Sequence, residues 1–309
     1  MDKEIDLPCP ACKTIIKLKK NAPQEPVVSG FDSQAGDALM KKIIKNSRAL
    51  PPMPQIIIKA NEVLSSDKAG FKEVGDVLAT DQAMATRVLK LANSAYYGLT
   101  VPVSSVQQAS ALLGFQALLE LITVVSTSKM MGKALTGYAI DARDMWEHSL
   151  SVAIGAKLIA EKKFPALVND AFNAGLIHDS GMLILDDYVA EEKATFEDAM
   201  DKKKTIQEAE TLLFGFDHGI IASEFFKKWK LPPCQTHAIR YHHKPSQSGG
   251  DPLSRVLHAA DALANENKTE QNFANEQNAI DFVGFSDDEW AAIGLEVTES
   301  VNHIMATMS

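Results

Sequence analysis

Residues 174–182 read Ala-Gly-Leu-Ile-His-Asp-Ser-Gly-Met and place an adjacent histidine and aspartate at the end of an apolar helical run. Neutral imidazole and carboxylate are ligand types that borderline divalent metals share. Neighbouring side chains on a helix point about 100° apart, so His178 and Asp179 can bind one ion from two sides or bridge two ions. Alone, the pair is more typical of a helix cap or a core pair, because aspartate near a helix end is ordinary.

Further ligand-type residues occur at or near the ends of separate predicted helices. They are His148, His218, His242, His243 and Asp261. His148 could be an exposed polar residue, and Asp217 or His218 could simply cap a helix. His242 and His243 could simply meet the negative end of a helix dipole. Asp261 is harder to explain in this way, because a carboxylate among alanines and leucines is costly to bury unless it is paired or metal-bound. Helix ends of a bundle can converge on one pocket, so the joint occurrence predicts a metal site.

The spacing of apolar residues predicts helices almost throughout the chain from Gly36 onward. The stripe from Met84 to Ala95 predicts one helix of the N-terminal half, with Gly98 as its left-handed cap. Helical spacing also occurs at 56–64 and 71–78. In the C-terminal half, helices are predicted at 143–162, 166–179, 182–193, 205–214, 217–229, 233–243, 252–267 and 287–307. We therefore predict an all-α fold of two helical lobes, residues 36–136 and 137–309, which meet at the break between Gly132 and Gly137.

Residues 1–35 stand apart from this helical pattern. Cys9-Pro10-Ala11-Cys12 is a Cys-x-x-Cys turn, and the alternating residues 14–19 after it resemble the strand of a small zinc ribbon. A structural zinc site needs four ligands, and Cys234 is the only other cysteine of the chain. Cys9 and Cys12 are therefore either half of a structural zinc site that a second chain completes, or part of an arm without metal. Residues 21–35, rich in Pro, Gly, Ser and Gln, predict a linker.

Composition limits the classes of function. The chain has 309 residues, of which 46% are hydrophobic, enough for a large core. A net charge of −9 argues against binding to nucleic acid or to an anionic membrane. The acidic residues 1–6 lack an apolar signal core, and the most apolar stretch, 109–125, is interrupted by Gln116 and Glu120. Three cysteines make no disulfide framework, so a cytoplasmic location is expected.

The order of the histidines and aspartates resembles the HD superfamily of metal-dependent phosphohydrolases. The N-terminal half narrows the resemblance to the HDOD domain, an HD-related output domain of bacterial signalling. The stretches that carry it are Ala49-Leu50-Pro51-Pro52-Met53-Pro54, Leu91-Ala92-Asn93-Ser94-Ala95-Tyr96-Tyr97-Gly98, Val103-Ser104-Ser105-Val106 and Ala111-Leu112-Leu113-Gly114. The resemblance covers residues 38–264 and leaves the N-terminal arm outside.

The resemblance implies a ligand set for two ions. A first metal would be held by His148, His178, Asp179 and Asp261. Asp179 would bridge to a second metal, held by His218 and by His242 or His243. Asp144, one turn before His148, is a further carboxylate candidate. Iron, manganese or zinc would suit such a site. In active relatives, paired metals activate a bridging water and stabilise phosphate charge during in-line attack, which would make His178 and Asp179 catalytic.

Two departures from the active relatives bear on function. Enzymes of the cyclic-dinucleotide class often read His-Asp-x-Gly-Lys, whereas Met182 stands at the lysine position here, and no Gly-Tyr-Pro motif follows His243. Neither departure removes an inferred ligand. The leading hypothesis is a bacterial signalling or regulatory module that acts through contacts with a signalling protein and holds one or two divalent ions. The alternative is a metal-dependent phosphohydrolase, or phosphodiesterase, acting on a nucleotide or other phosphoester. A third hypothesis is a redox or metal sensor in which bound iron changes the packing of the lobes.

Overall fold

The computed structural model describes residues 4–8, 15–19, 33–46, 82–202, 204–265 and 282–308. Strands β1 (Glu4–Pro8) and β2 (Ile15–Lys19) pair antiparallel, with Ile5 opposite Leu18. The second strand is the one that the alternating residues predicted. Cys9 and Cys12 lie outside the described residues, so the interpretation of this arm as half of a zinc site stays a prediction.

Four described helices form the N-terminal half. They are α1 (Ser33–Asn46), α2 (Gln82–Ala92), α3 (Val106–Leu113) and α4 (Phe115–Met131), with a 3-10 turn at Ala95–Tyr97. Helix α1 begins inside the stretch that was predicted as a linker. The predicted helices at 56–64 and 71–78 lie outside the described residues. The apolar stripe of α2 is confirmed, since Val88 and Leu91 are fully buried.

Local capping explains where these N-terminal helices begin and end. Gly98 follows the 3-10 turn with φ of +59°, the left-handed conformation in which a residue without Cβ is unstrained. The side chain of Ser105 accepts a hydrogen bond from the backbone N–H of Gln108, so Ser105 caps α3. Helix α4 ends at Met131, just before the predicted break.

The C-terminal half contains most of the described helices. They are α5 (Ala142–Lys163), α6 (Val168–Ile177), α7 (Ser180–Glu191), α8 (Lys193–Asp201), α9 (Ile206–Phe214), α10 (His218–Lys228), α11 (Pro233–Tyr241), α12 (Pro252–Ala264) and α13 (Asp287–Met308). Helix α8 was not predicted, because it buries only Phe196 and Ala199 and so shows a weak apolar stripe. The other predicted helices of this half agree closely with the structure.

Two glycines allow the helices around His178 and Asp179 to approach closely. A Cβ atom on Gly175 would lie 2.6 Å from the Cα atom of Ala153, so α6 packs backbone to backbone on α5. A Cβ atom on Gly181 would overlap the backbone carbonyl of His218, where α7 and α10 begin. The ends of α6, α7 and α10 therefore meet in a small volume beside α5.

One hydrophobic core runs through both halves. Fully buried residues of the core include Leu91 and Leu121 from the N-terminal half and Leu150 and Ile159 from α5. The all-α fold class is confirmed, while the lobe boundaries at 36–136 and 137–309 stay a prediction. Among the described helices, none has the length and apolar character needed to cross a membrane.

Candidate metal centre

The structure brings the seven predicted ligands together from five parts of the C-terminal half. Their potential ligand atoms form two groups, and within each group all these atoms lie within 4.8 Å of one another. The groups are His148, His178 and Asp261, and Asp179, His218, His242 and His243. His178 ends α6, Asp179 lies in the turn before α7, and His218 opens α10. Asp144 is exposed and belongs to neither group.

The carboxylate of Asp179 lies between the two groups. Its Oδ1 atom is 3.1 Å from Nε2 of His178, 3.2 Å from Nε2 of His218 and 3.6 Å from Nε2 of His242. Its Oδ2 atom is 3.3 Å from Nε2 of His148. One aspartate oxygen therefore faces three imidazoles and the other faces a fourth.

The opposite side of each of the three imidazole rings meets an acceptor. His178 and His242 place Nδ1 against the backbone carbonyl three residues earlier, at 2.8 and 2.6 Å. His218 places Nδ1 at 2.8 Å from a carboxylate oxygen of Glu210. Carbonyl and carboxylate oxygens only accept hydrogen bonds, so in each neutral ring the proton is on Nδ1 and Nε2 carries the lone pair.

In His178 and His242 this arrangement directs Nε2 at the carboxylate of Asp179, where a cation could bind between them. Nε2 of His178, Nε2 of His242 and Oδ1 of Asp179 are buried and make no hydrogen bond. Polar atoms buried without a partner are costly, and histidine ligands of metals characteristically bind an acceptor through the other ring nitrogen. The residues present therefore fit a divalent metal, on the chemistry of the donor set and on these buried atoms.

Electrostatics in the metal-free protein show the same demand for positive charge. Burial lowers the pKa of His148, but the carboxylates of Asp179 and Asp261 outweigh it and raise that pKa to about 10. Burial also lowers the pKa of His218, yet Glu210 and Asp179 hold it well above the usual value. Burial and the neighbouring His242 and His218 lower the pKa of His243 well below its usual range. The cluster thus combines protonated and neutral imidazoles.

Both aspartates of the cluster are ionised. Burial raises the pKa of Asp179, but His178, His148 and His218 outweigh burial, so the pKa lies well below its usual value. Burial likewise raises the pKa of Asp261, and the hydrogen bond from His148 leads the effects that bring it below the ordinary value. Two carboxylates that remain charged inside the protein are the anionic partners that a divalent ion needs.

Asp261 completes the first group and lies at the accessible edge of the cluster. Its Oδ1 atom is 3.3 Å from Nε2 of His148, and its Oδ2 atom is 3.8 Å from Nδ1 of His243. The side chains of His148, His243 and Asp261 are 22%, 15% and 14% exposed, whereas those of His178 and His242 are fully buried. Solvent therefore reaches the cluster from the edge formed by His148, His243 and Asp261.

Glu210 is the residue of this site that the sequence reasoning missed. It is fully buried in α9 and accepts hydrogen bonds from both the backbone N–H and the ring of His218. A carboxylate one turn after Ile206 and one turn before Phe214, on the apolar side of α9, was the available signal. Asp261 gives the same kind of signal among the apolar residues of α12. Of the two candidate caps, Asp217 is confirmed, since its side chain accepts a hydrogen bond from the backbone N–H of Ile220.

Comparison with known proteins agrees with the fold. The family model of the HDOD domain matches residues 50–245, more than half of the chain. The chain belongs to the HDOD domain family. This confirms the resemblance carried by the N-terminal stretches and by the order of histidines and aspartates.

Solved structures resemble this HDOD protein over most of its length. An HDOD domain protein of unknown function from Geobacter sulfurreducens is 27% identical, with a TM-score of 0.70 over 90% of this chain and 98% of that one. A proposed phosphohydrolase from Shewanella amazonensis is 22% identical, with a TM-score of 0.70 over 88% and 98% of the two chains. A proposed signal transduction protein from Marinobacter aquaeolei is 22% identical, with a TM-score of 0.68 over 92% and 67%.

Among curated proteins, an uncharacterised protein of Treponema pallidum (strain Nichols) is 20% identical over 196 residues. The match covers 63% of this HDOD protein and 37% of that relative. The chain therefore spans well under half the length of the curated relative that it matches.

Proposed function

We propose that this HDOD protein is a regulatory module of bacterial signalling that holds one or two divalent metal ions and acts through contacts with a signalling protein. The observation that supports the metal site is the convergence of three imidazole Nε2 atoms on Oδ1 of Asp179, while Nδ1 of each ring lies against an acceptor oxygen. Nε2 of His178, Nε2 of His242 and Oδ1 of Asp179 are buried without a hydrogen bond, and a bound cation would satisfy all three.

The donor set indicates how the ions would be held. His148, His178 and Asp261 would bind the first ion, and His218, His242 and His243 the second, with Asp179 bridging the two. Five imidazoles and two carboxylates suit iron, manganese or zinc. His178 and Asp179 lie at the centre of this arrangement, as their close contacts to both groups indicate.

Met182, three positions after Asp179, favours a regulatory role over catalysis. Met182 stands where active relatives of the cyclic-dinucleotide class carry a lysine, and its side chain is buried at 3% exposure in α7. A thioether neither carries charge nor donates a proton to phosphate. The absence of the Gly-Tyr-Pro motif after His243 points the same way. The similar Marinobacter protein is itself described in terms of signal transduction.

Metal content of the purified protein tests the site directly. We expect one or two ions per chain after expression in metal-replete medium, measured by inductively coupled plasma mass spectrometry. The double substitution His178→Ala with Asp179→Ala should remove them. His303→Ala is the matched control, because His303 is exposed on α13 and belongs to neither group. A wild-type protein that carries no metal would contradict the proposal.

A second candidate function is metal-dependent hydrolysis of a nucleotide or other phosphoester. The observation that favours it is the complete donor set at an edge that solvent reaches through His148, His243 and Asp261. Bound divalent ions there would stabilise phosphate charge and lower the pKa of a bound water. Asp179 would contact both groups of ligands, because Oδ2 faces His148 and Oδ1 faces His218.

Turnover and partner capture separate the two functions. Metal-loaded protein is assayed against bis-nitrophenyl phosphate and a nucleotide panel, beside the His178/Asp179 double variant. Turnover that the double variant abolishes supports the phosphohydrolase, whereas turnover that survives it does not arise at this centre. Absence of turnover, together with metal-dependent capture of an identified signalling protein from the native cell, supports the regulatory module.

A further inference from the structure

A chain of short hydrogen bonds leads from the candidate metal centre to Tyr138. One carboxylate oxygen of Glu210 accepts from the backbone N–H and from Nδ1 of His218, each at 2.8 Å. The other oxygen accepts from the hydroxyl of Tyr138 at 2.6 Å. Glu210 is fully buried and Tyr138 nearly so, at 8% exposure. Protein groups thus satisfy both oxygens of this carboxylate without solvent.

Tyr138 belongs to the turn that joins α4 to α5, residues 132–141. Backbone hydrogen bonds of 2.8 and 3.0 Å between Leu135 and Ile140 close this turn. The backbone N–H of Gly137 donates to Asp186 of α7 at 2.8 Å. The same turn is therefore tied to α7, which begins beside Asp179, and to α9, which carries Glu210.

We propose that Glu210 is a positioning residue of the metal centre, and that Tyr138 couples it to the turn at 132–141, so that metal binding and the order of this turn stabilise each other. The inference rests on the proposed metal binding. Glu210 holds the proton of His218 on Nδ1 and fixes the plane of the ring, which keeps Nε2 directed at the cluster. Such outer partners of metal-bound histidines change metal affinity by about 10–100-fold when they are removed.

The coupling links the metal centre to the N-terminal half, which suits a regulatory module. Helix α4 belongs to the N-terminal half and α5 carries His148, so the turn between them connects the centre with the N-terminal helices. If bound metal orders the turn at 132–141, then a change that orders this turn must also tighten metal binding, because coupling between two sites is reciprocal. Metal occupancy at His218 would then be transmitted through Glu210 and Tyr138.

Metal affinity of the full chain tests the positioning role. Competition titration with zinc compares the wild type with Glu210→Gln and Tyr138→Phe, and the absorption spectrum of the cobalt-loaded protein reports on the His218 ligand. Glu210→Gln keeps size and removes charge, so we expect about a 10-fold loss of affinity and a changed cobalt spectrum. Tyr138→Phe should cause a smaller loss. Glu120→Gln and Tyr97→Phe are matched controls, because that pair also joins a tyrosine hydroxyl to a carboxylate, at 3.3 Å, among residues that belong to neither group.

Hydrogen exchange at residues 132–141 tests the coupling. Zinc should increase the protection of this turn in the wild type and in Tyr97→Phe, and should fail to do so in Tyr138→Phe. Unchanged affinity and spectrum in Glu210→Gln would overturn the positioning role, as would an equal loss in Glu120→Gln. Full zinc-induced protection in Tyr138→Phe would overturn the coupling. A wild type that binds no metal would overturn the proposed metal site and this inference together. A wild type that binds metal, with Glu210→Gln unaffected, would overturn this inference alone.

Discussion

Glu120 in the N-terminal half and Asp179 in the C-terminal half are both largely buried carboxylates, but their partners differ. Oε1 of Glu120 accepts from the hydroxyls of Tyr96 and Tyr97 at 3.2 and 3.3 Å, and Oε2 lies 2.6 Å from Nζ of Lys157. Asp179 places Oδ1 against imidazole nitrogens and makes no hydrogen bond with it. Glu120 is thus paired with an ammonium and two hydroxyls of the protein, whereas Oδ1 of Asp179 is the oxygen that the proposed metal would bind.

The contrast extends to the sequence stretches around these two residues. Asn93, in the most specific stretch of the resemblance, makes two hydrogen bonds to the backbone of Val103, at 2.7 and 2.9 Å. Burial and Glu120 raise the pKa of both Tyr96 and Tyr97, which keeps their hydroxyls protonated as donors. Asn93, Tyr96 and Tyr97 thus find their hydrogen-bond partners within the protein, and these contacts stabilise the fold. In the stretch around His178 and Asp179, Nε2 of His178 and Oδ1 of Asp179 make no hydrogen bond, and the proposed metal would bind them.

The largest effect is expected when Glu120 loses its internal cation. Lys157→Met keeps the length of the side chain and leaves the carboxylate without its positive partner. We expect a loss of about 3 kcal/mol in the free energy of unfolding, at the low end for broken buried pairs because Lys157 is 21% exposed. Urea unfolding measures it, and metal affinity should not change. A loss below about 0.5 kcal/mol would mean that Lys157 and Glu120 behave as an ordinary surface ion pair. The contrast between Glu120 and Asp179 would then not hold.

The second effect is the stabilisation that metal gives to the Asp179 side of the comparison. At a free metal concentration 100-fold above Kd, bound metal should add about 2.7 kcal/mol to the free energy of unfolding. A chelator should remove this increment from the wild type. Asp179→Asn should lack the increment altogether, because the bridging charge is gone, while Glu120→Gln should keep it. Thermal unfolding with and without chelator gives the result, and equal increments in Asp179→Asn and the wild type would contradict the site.

The third effect concerns the close approach that forms the site. A Cβ atom in Gly181→Ala would overlap the carbonyl of His218, so α7 and α10 must move apart. We expect a loss of about 2 kcal/mol in stability and a weaker metal site. Gly155→Ala is the matched control in α5, because its Cβ atom would meet the Cβ atom of Ala260 at an ordinary 3.5 Å. That variant should be neutral or slightly stabilised by helix propensity. Equal behaviour of the two variants would show that close packing at Gly181 does not shape the centre.

Much of this molecule could be predicted from sequence because its signals are local and periodic. Apolar spacing predicted most of the described helices, and the residue types of metal ligands identified the cluster. Helix α8 was missed because only Phe196 and Ala199 mark its buried side. Glu210 was missed because its role depends on the ring of His218, eight positions later in the chain. The direction of each imidazole follows from backbone carbonyls and a distant carboxylate, and residue spacing carries no information about it.

The last effect, modest for a change of one pH unit, is the pH dependence of the centre. In the metal-free protein His148, with a pKa of about 10, is protonated at pH 7, so metal binding must release that proton. Metal affinity should rise with pH by about 1.4 kcal/mol per unit for each proton released. The stability of the metal-free protein should change in the opposite sense. Because the folded pKa of His148 is raised above about 6.5, its contribution is complete below that pH and is lost as pH approaches 10.

Calorimetric titrations in buffers of different ionisation enthalpy count the protons released per metal ion at pH 7. We expect at least one proton in the wild type, and fewer in His148→Gln, which keeps a polar side chain without a titrating group. His303→Gln should behave as the wild type, since the exposed His303 lies outside both groups. Binding without proton release would mean that the two carboxylates do not hold a proton on His148. In that case His148 would already be neutral before metal binds, and its imidazole would not supply positive charge to Asp179 and Asp261.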